Sequence, residues 1–175
     1  MLKRRLRSPI HGRTARWVGT TMSLLLRPQA IGGPAPVPSH FSRPFWDGCV
    51  LGELRILRCL NCSQAIADAP RICWRCHSRE LQWEVAIGGA ALYSWSVVWR
   101  PQTTDFEVPY AVGIVTLDEG IQLVSGLVGC EPGDLAEGMA LAVEFHPISE
   151  ELSLHYFHPV VGATGENLKR GLPDA

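Results

Sequence analysis

Four of the six cysteines lie in one short stretch, RCLNCSQAIADAPRICWRC (58–76), as two C-x-x-C pairs. A C-x-x-C turn directs two sulfurs at one ion, and four thiolates are a common ligand set for structural zinc. The pairs are Cys59 with Cys62 and Cys73 with Cys76. They predict a zinc ribbon, in which two knuckles close around one metal. Rubredoxin-like iron, which uses the same ligands, is the alternative.

The predicted metal site is structural rather than catalytic. A catalytic zinc keeps an open coordination position, and four cysteines leave none. His77 follows Cys76 directly, and two adjacent residues rarely reach the same ion, so we expect His77 to be exposed. A redox C-x-x-C is typical of a thioredoxin-like βαβ pattern, which this sequence lacks.

No other residues form a recognisable catalytic group. The sequence has no phosphate-binding glycine loop, H-E-x-x-H motif or nucleophile elbow. A nucleophilic cysteine needs a base and an electropositive setting. Cys130 precedes an acidic residue and Cys49 falls on an apolar helix stripe, so both are predicted to be small core or edge residues. Three histidines are predicted at the surface or at strand ends: His146, His155 and His158.

A short helix and a series of strands must position the ribbon. Pro44 suits a first helical turn and Ser42 can cap it, which predicts a helix over about 43–52. Its apolar stripe consists of Phe45, Trp46, Cys49 and Val50. Strands are predicted at 54–59, 81–86, 91–100, 110–117, 121–129, 139–147 and 152–159.

The predicted fold is mainly β, with an N-terminal helix, a rubredoxin-like zinc ribbon and a five-stranded OB-fold barrel. A plain β-sandwich is the alternative from the pattern alone. We expect a disordered basic extension over 1–38, helix and ribbon over 39–87, the barrel over 88–160 and a disordered tail over 161–175. A nucleic-acid arm, a mitochondrial-type presequence and an upstream start codon before Met22 are other readings of the extension.

Composition limits the class of protein. The apolar fraction is 46%, which suits a globular chain, and no apolar run approaches the length of a membrane span. No secretory signal is evident, so we expect a cytoplasmic protein whose cysteines stay reduced and favour metal.

Charge is distributed unevenly along a chain whose net charge is −1. Residues 1–21 carry six cations and no acidic residue. The ribbon segment 55–79 has five arginines against one aspartate, a balance of +4, whereas residues 90–160 have one arginine against ten acidic residues, a balance of −9. Phosphate neutralisation dominates nucleic-acid affinity, so this acidic barrel disfavours nucleic acid.

Several segments, in their order along the chain, resemble one known family, the acyl-CoA-associated zinc-ribbon/OB-fold proteins of bacteria and archaea, long described as a domain of unknown function. The resemblance covers about 39–160. Ser63 and His77 replace glycines usual after the knuckles, and Trp74 replaces a usual proline. The matching segments are RPFWDG (43–48), GELRILRCLNC (52–62), APRICWRCHS (69–78), LYSWSVV (92–98), VPYAVGIVTLDEG (108–120) and GMALAVEFHP (138–147).

The resemblance implies a helix pair, a ribbon and an OB barrel, and a subunit that is not itself an enzyme. Family members look like partners of thiolase-like enzymes, including lipid-transfer-type thiolases and aldolases of steroid side-chain breakdown. Some are paired with or fused to hot-dog-fold hydratases. The partner holds the catalytic residues, and this subunit helps to bind the CoA part of the substrate.

Two sets of residues are therefore predicted to contact CoA or the partner. The arginines near the knuckles could face CoA phosphates or an acidic partner surface. Phe45 and Trp46 could anchor the partner, or staple the helix onto the ribbon. The arginines are Arg55, Arg58, Arg71 and Arg75.

Two alternative functions follow from other features. Tyr93, Trp95 and Trp99 occupy alternate positions on one strand and could stack bases, which would make the chain a single-stranded nucleic-acid-binding module. A stand-alone CoA hydratase or thioesterase is the third hypothesis, and turnover by the isolated chain would reveal it.

Overall fold

The computed structural model describes residues 24–29, 35–67, 69–101 and 103–160. Most of the predicted basic extension, 1–23 and 30–34, and the predicted tail 161–175 lie outside the described residues. The described part of the chain contains a helix, a three-stranded sheet and a closed barrel of five strands. The predicted fold class is confirmed, and barrel closure excludes the β-sandwich.

Helix α1 spans Arg43–Val50 and is the one α-helix of the described residues, where the resemblance implies a pair. Ser42 precedes the helix, but the prediction that its side chain caps the helix is wrong. The Ser42 hydroxyl instead accepts a hydrogen bond from the backbone N–H of Ser39 at 2.9 Å. The helix ends before the predicted residue 52, since Gly52 adopts a φ of +76° that stops it.

The ribbon is the antiparallel sheet β2-β1-β3. Its strands are β1 (Arg55–Cys59), β2 (Ala65–Ile66) and β3 (Leu81–Val85). The two-residue β2 gave no periodic signal in the sequence. One face of β1 packs on the barrel through Ile56, and the other holds Leu57 in a small ribbon core.

The barrel strands close in the order β4-β5-β6-β8-β7. Strands β6 and β8 run parallel and meet through two residue pairs, Gly126 with Tyr156 and Leu127 with Phe157. A Cβ on Gly126 would lie 2.6 Å from the Tyr156 ring, so this closing seam requires glycine there. The strands are β4 (Gly89–Val98), β5 (Tyr110–Leu117), β6 (Gln122–Leu127), β7 (Ala140–Pro147) and β8 (Ser153–Pro159), with a 3-10 turn at Pro132–Asp134 between β6 and β7.

A bulge divides the aromatic row on β4. Leu92 pairs with Val115 of β5 and Ser94 with Ile114, so Tyr93 is an extra residue. The alternation of faces therefore changes at Tyr93. The prediction that Tyr93, Trp95 and Trp99 share one face is wrong, and the nucleic-acid alternative loses its continuous stacking surface.

His155 on β8 is half-buried beneath α1. Its ring packs edge-on against Phe45 at 5.3 Å and lies 6.4 Å from Trp46. Burial lowers the pKa of His155 to about 4 and leaves its Nδ1 without a hydrogen-bond partner. His155 is therefore less exposed than predicted, because the helix packs over its ring. His146 and His158 are partly exposed and both face Glu144.

Residues 24–29, which are predicted to belong to the extension, lie against the barrel. Leu26 is 1% exposed within the barrel core, and its backbone N–H donates to the Cys130 carbonyl at 2.8 Å. The Gln29 side chain donates to the Glu107 carbonyl and accepts the Glu107 backbone N–H. This segment therefore closes part of the barrel.

The packing of Leu26 predicts a specific loss of stability. Leu26→Ala removes a fully buried side chain and should lower the free energy of unfolding by about 2–5 kcal/mol. Leu24→Ala and Leu25→Ala are matched controls, because these neighbours are 41% and 44% exposed and should change stability by about 0.5 kcal/mol or less. Denaturant unfolding of the metal-loaded chain measures all three, and equal effects would contradict the packing of Leu26.

Candidate metal centre and the surface around it

The four predicted cysteines converge at the tip of the ribbon. One sulfur from each residue contributes to a group whose members all lie within 4.8 Å of one another. The Sγ atoms of Cys59 and Cys76 are 3.5 Å apart, and those of Cys62 and Cys73 are 3.7 Å apart. A tetrahedral ion with metal–sulfur bonds of about 2.3 Å separates its sulfurs by about 3.8 Å. The donor set fits a single tetrahedral metal ion.

Each knuckle is a tight turn closed by the backbone. The Ser63 N–H donates to the Cys59 carbonyl and the His77 N–H donates to the Cys73 carbonyl, both at 2.9 Å. Ser63 and His77 both have a φ of +59°. This left-handed conformation costs a non-glycine residue about 1–2 kcal/mol, which explains why the resembling family has glycine there. His77 is exposed and lies outside the sulfur group, as predicted.

Backbone amides also face the sulfurs. The Ser78 N–H donates to the sulfur of Cys76 and is the main reason why the pKa of this thiol falls to about 6. The Gln64 N–H donates in the same way to Cys62 and lowers the pKa of that thiol, whereas burial and the neighbouring cysteine thiols together raise it to about 12. Cys59 and Cys73 are fully buried. These bonds favour the thiolate form that metal binding requires.

The other two cysteines lie apart from this centre. Burial raises the pKa of Cys49 to about 12, and burial together with the nearby Asp134 raises the pKa of Cys130. Both thiols are buried, as predicted. Neither has the lowered pKa of a nucleophile.

Two of the four predicted arginines form ion pairs with glutamates of the same chain. Arg55 forms an ion pair with Glu53 at 2.6 Å, and its guanidinium also donates to the carbonyl of Pro44. Arg58 pairs with Glu84 across β1 and β3 at 2.5 Å. Both charges are therefore compensated within the chain, and the two arginines stabilise the ribbon. Their contact with CoA or a partner stays a prediction.

The other arginines form no ion pair among the residues that the structure describes. Arg71 lies over the ring of Phe41, with its Cζ 4.9 Å from the ring centroid. Arg75 donates to Gln64 at 3.4 Å. Arg79, which is not among the predicted contact residues, lines one cleft together with Arg71. Within the described ranges none of the three forms an ion pair, so they carry the free positive charge of the ribbon.

Phe45 and Trp46 pack on each other edge-to-face at 5.0 Å and on His155. They hold α1 onto the barrel rather than onto the ribbon alone. Both remain partly exposed, and a role as partner anchors stays a prediction.

A four-cysteine metal centre predicts that substituting one of its cysteines removes the ion, whereas substituting another buried cysteine does not. Cys73→Ser should reduce bound metal from one ion per chain to less than about a tenth of that, because a structural site needs all four thiolates. Cys130→Ser, which also changes a buried cysteine, should retain the ion. Elemental analysis of both purified chains measures this, and equal metal content would contradict a four-cysteine site.

Comparison with known proteins places the chain in a family. A curated relative in Methanocaldococcus jannaschii, named "DUF35 domain-containing scaffold protein", is 30% identical over 105 residues, which are 59% of this chain and 72% of the relative. The chain belongs to the DUF35 family. The family model described as "ChsH2, C-terminal OB-fold domain" matches residues 83–146 of this DUF35 protein. The predicted resemblance is confirmed.

Two further comparisons concern larger assemblies. A solved structure titled "Ltp2-ChsH2(DUF35) aldolase" is 30% identical with a TM-score of 0.66, over 71% of this chain and 98% of that chain. A "Probable enoyl-CoA hydratase alpha subunit" of Thermomonospora curvata is 30% identical over 135 residues, 77% of this chain. The DUF35 chain spans only 42% of the length of that hydratase subunit.

No helix among residues 24–29, 35–67, 69–101 and 103–160 is long and apolar enough to cross a bilayer.

Proposed function

We propose that this DUF35 chain is a non-catalytic accessory subunit that helps to assemble an acyl-CoA-processing complex and to bind its CoA substrate. One observation carries the proposal. The chain aligns with 98% of a chain in the structure of an Ltp2-ChsH2(DUF35) aldolase. A relative named as a scaffold protein supports the same role.

The partner that we propose is a thiolase-like or lipid-transfer-thiolase-like enzyme that holds the catalytic residues. Relatives named as hydratase alpha subunits support a hot-dog-fold hydratase as a second partner, including one for a steroid-derived carboxyl-CoA in Mycobacterium tuberculosis. The two described cysteines outside the metal centre, Cys49 and Cys130, have raised pKa values. Neither is therefore suited to act as a nucleophile, which supports a role without independent catalysis. We place this complex in the cytoplasm.

We propose zinc as the ion held by Cys59, Cys62, Cys73 and Cys76. Four thiolates at tetrahedral spacing suit zinc, and such a site supplies folding free energy rather than chemistry. In this chain the sulfurs tie the two knuckles together and hold the intervening loop in place.

Assembly and turnover test the proposal together. The metal-loaded chain, coexpressed with the thiolase-like protein encoded nearest to its gene, should coelute with it as a complex of defined mass in size exclusion with light scattering. The complex should turn over an acyl-CoA substrate at least about a hundredfold faster than this chain alone, because the catalytic groups belong to the partner.

An equimolar mixture of the same thiolase-like protein and unrelated zinc-ribbon protein is the control for nonspecific coelution. Turnover by the isolated DUF35 chain at the rate of the complex would contradict an accessory role. Failure to form a complex with either a thiolase-like or a hydratase partner would contradict the scaffold role.

A further inference from the structure

The outer face of strands β4, β5 and β6 carries no charged residue. On β5, Ala111 and Val115 are buried in the barrel core, so the alternate residues of this strand and the residues paired with them face outward. We call this surface the uncharged face. Its central residues are Ser94 and Ser96 of β4, Val112 and Ile114 of β5, and Val124 and Gly126 of β6.

The rest of the barrel surface has the opposite character. The outer face of β7 and β8 carries Glu144, His146 and His158, the polar pattern expected where an antiparallel sheet meets water. The ten acidic residues of 90–160 lie in the connections between strands or on β7. Charged residues are depleted at the centres of protein interfaces, so an outer sheet face without charge indicates a contact surface.

The uncharged face is open to solvent in the structure. Val112 is 37% exposed and Val124 is 63% exposed. Helix α1 packs on β8, β7 and β1, and β5 has its main contacts with the two strands beside it. Among the described elements, none therefore covers the centre of this face.

A cavity at one end of the uncharged face is large enough to receive a side chain. Its volume is about 210 Å³, and Tyr110, Val112 and Gly126 form the wall that belongs to the face. Leu154 and Tyr156 lie in the opposite wall, which residues of the segment 24–29 complete. Interfaces obtain much of their affinity from a few anchor side chains in such cavities.

Charge at the two ends of the face favours one kind of occupant. Acidic residues lie in the β5–β6 hairpin and in the loop before β5, and they outnumber the nearby arginines Arg27 and Arg100. A second copy would bring together two barrels that each have a balance of −9, which repulsion disfavours. A partner whose apolar surface has a basic border is complementary. The acidic residues are Asp105, Glu107, Asp118 and Glu119.

We propose that the thiolase-like partner docks on the uncharged face. It meets the face with an apolar surface bordered by basic residues, and it inserts one apolar side chain into the cavity beside Gly126. The inference rests on the proposed function, because it assigns the contact with the partner to one face of the barrel.

A glutamate at the centre of the face tests the docking. Ser96 and Val112 are directly opposite each other and are exposed, so the chain should tolerate Ser96→Glu or Val112→Glu. In the complex, either carboxylate would be buried without a partner charge. Each variant should therefore weaken binding of the purified, metal-loaded chain to the thiolase-like protein by at least about tenfold in calorimetry. Thermal unfolding of the isolated variants checks that they are folded.

Ser149→Glu is the matched control, because Ser149 is an exposed serine in the turn between β7 and β8. It should change the dissociation constant by less than about twofold. An equal loss in Ser149→Glu and Ser96→Glu would overturn the proposal, and so would unchanged binding by Ser96→Glu and Val112→Glu.

Hydroxyl-radical footprinting of the wild-type chain gives a test that needs no variant. Tyr110 and Val112 should be oxidised more slowly in the complex, whereas Leu51, which is 68% exposed after α1, should react equally with and without the partner. Protection of Val112 in the isolated chain would overturn the proposal. Light scattering would then show whether a second copy or another segment of the same chain covers the face.

The outcomes separate this proposal from the proposed function. A complex that forms equally well with wild type and Ser96→Glu overturns the docking face and leaves the accessory role intact. A wild-type chain that binds neither a thiolase-like nor a hydratase partner overturns the proposed function itself. A complex with the hydratase alone that Ser96→Glu disrupts overturns the choice of partner.

Discussion

The convergence of four cysteine sulfurs is the constraint on which the ribbon depends. Apart from the face of β1 that packs on the barrel through Ile56, the ribbon core consists of Leu57, Ile66 and two of the cysteines, Cys59 and Cys73, with a few partly buried neighbours. These few apolar side chains offset little of the conformational entropy lost on ordering two knuckles and a loop. A metal held by the four thiolates, as we propose, would supply the missing free energy. It would also explain how Ser63 and His77 are held in a left-handed conformation without glycine.

The position of the arginines follows from that constraint. The loop between the knuckles carries Arg71 and ends at Cys73, so a metal bound by the cysteines would fix where this guanidinium lies relative to Arg79 after the second knuckle. Arg58 ties the same ribbon together through Glu84. Positive charge is thus concentrated on a small ribbon with a four-cysteine centre, beside a barrel whose sequence carries a large negative balance. This arrangement favours an anionic ligand on the ribbon and leaves the barrel for other contacts.

The sequence predicted the parts of the structure that have strong local signals. The cysteine spacing located the four residues of the candidate metal centre. Period-two alternation and residue type located seven strands, with each end within two residues of the end in the structure. It could not predict β2, which is two residues long, or Leu26, whose burial depends on contacts with Cys130 far along the chain. The β4 bulge and the cover of α1 over His155 are also tertiary effects, because neither changes the local pattern of residue types. The sequence does not show that Glu53 and Glu84 form ion pairs with Arg55 and Arg58. For the same reason it did not identify Arg79 as an unpaired arginine of the ribbon.

Hydrogen exchange before and after removal of the metal tests most directly whether the thiolate centre holds the ribbon together. The barrel strands pack on one another around Leu92, Val115 and Phe157, far from the cysteine sulfurs in sequence, so they should keep their amide protection in the metal-free chain. The amides of β1, β2 and β3 should lose protection by at least about a hundredfold and regain it when one equivalent of zinc is returned. Unchanged protection of the ribbon in the metal-free chain would contradict this account, because the ribbon would then be held by packing alone.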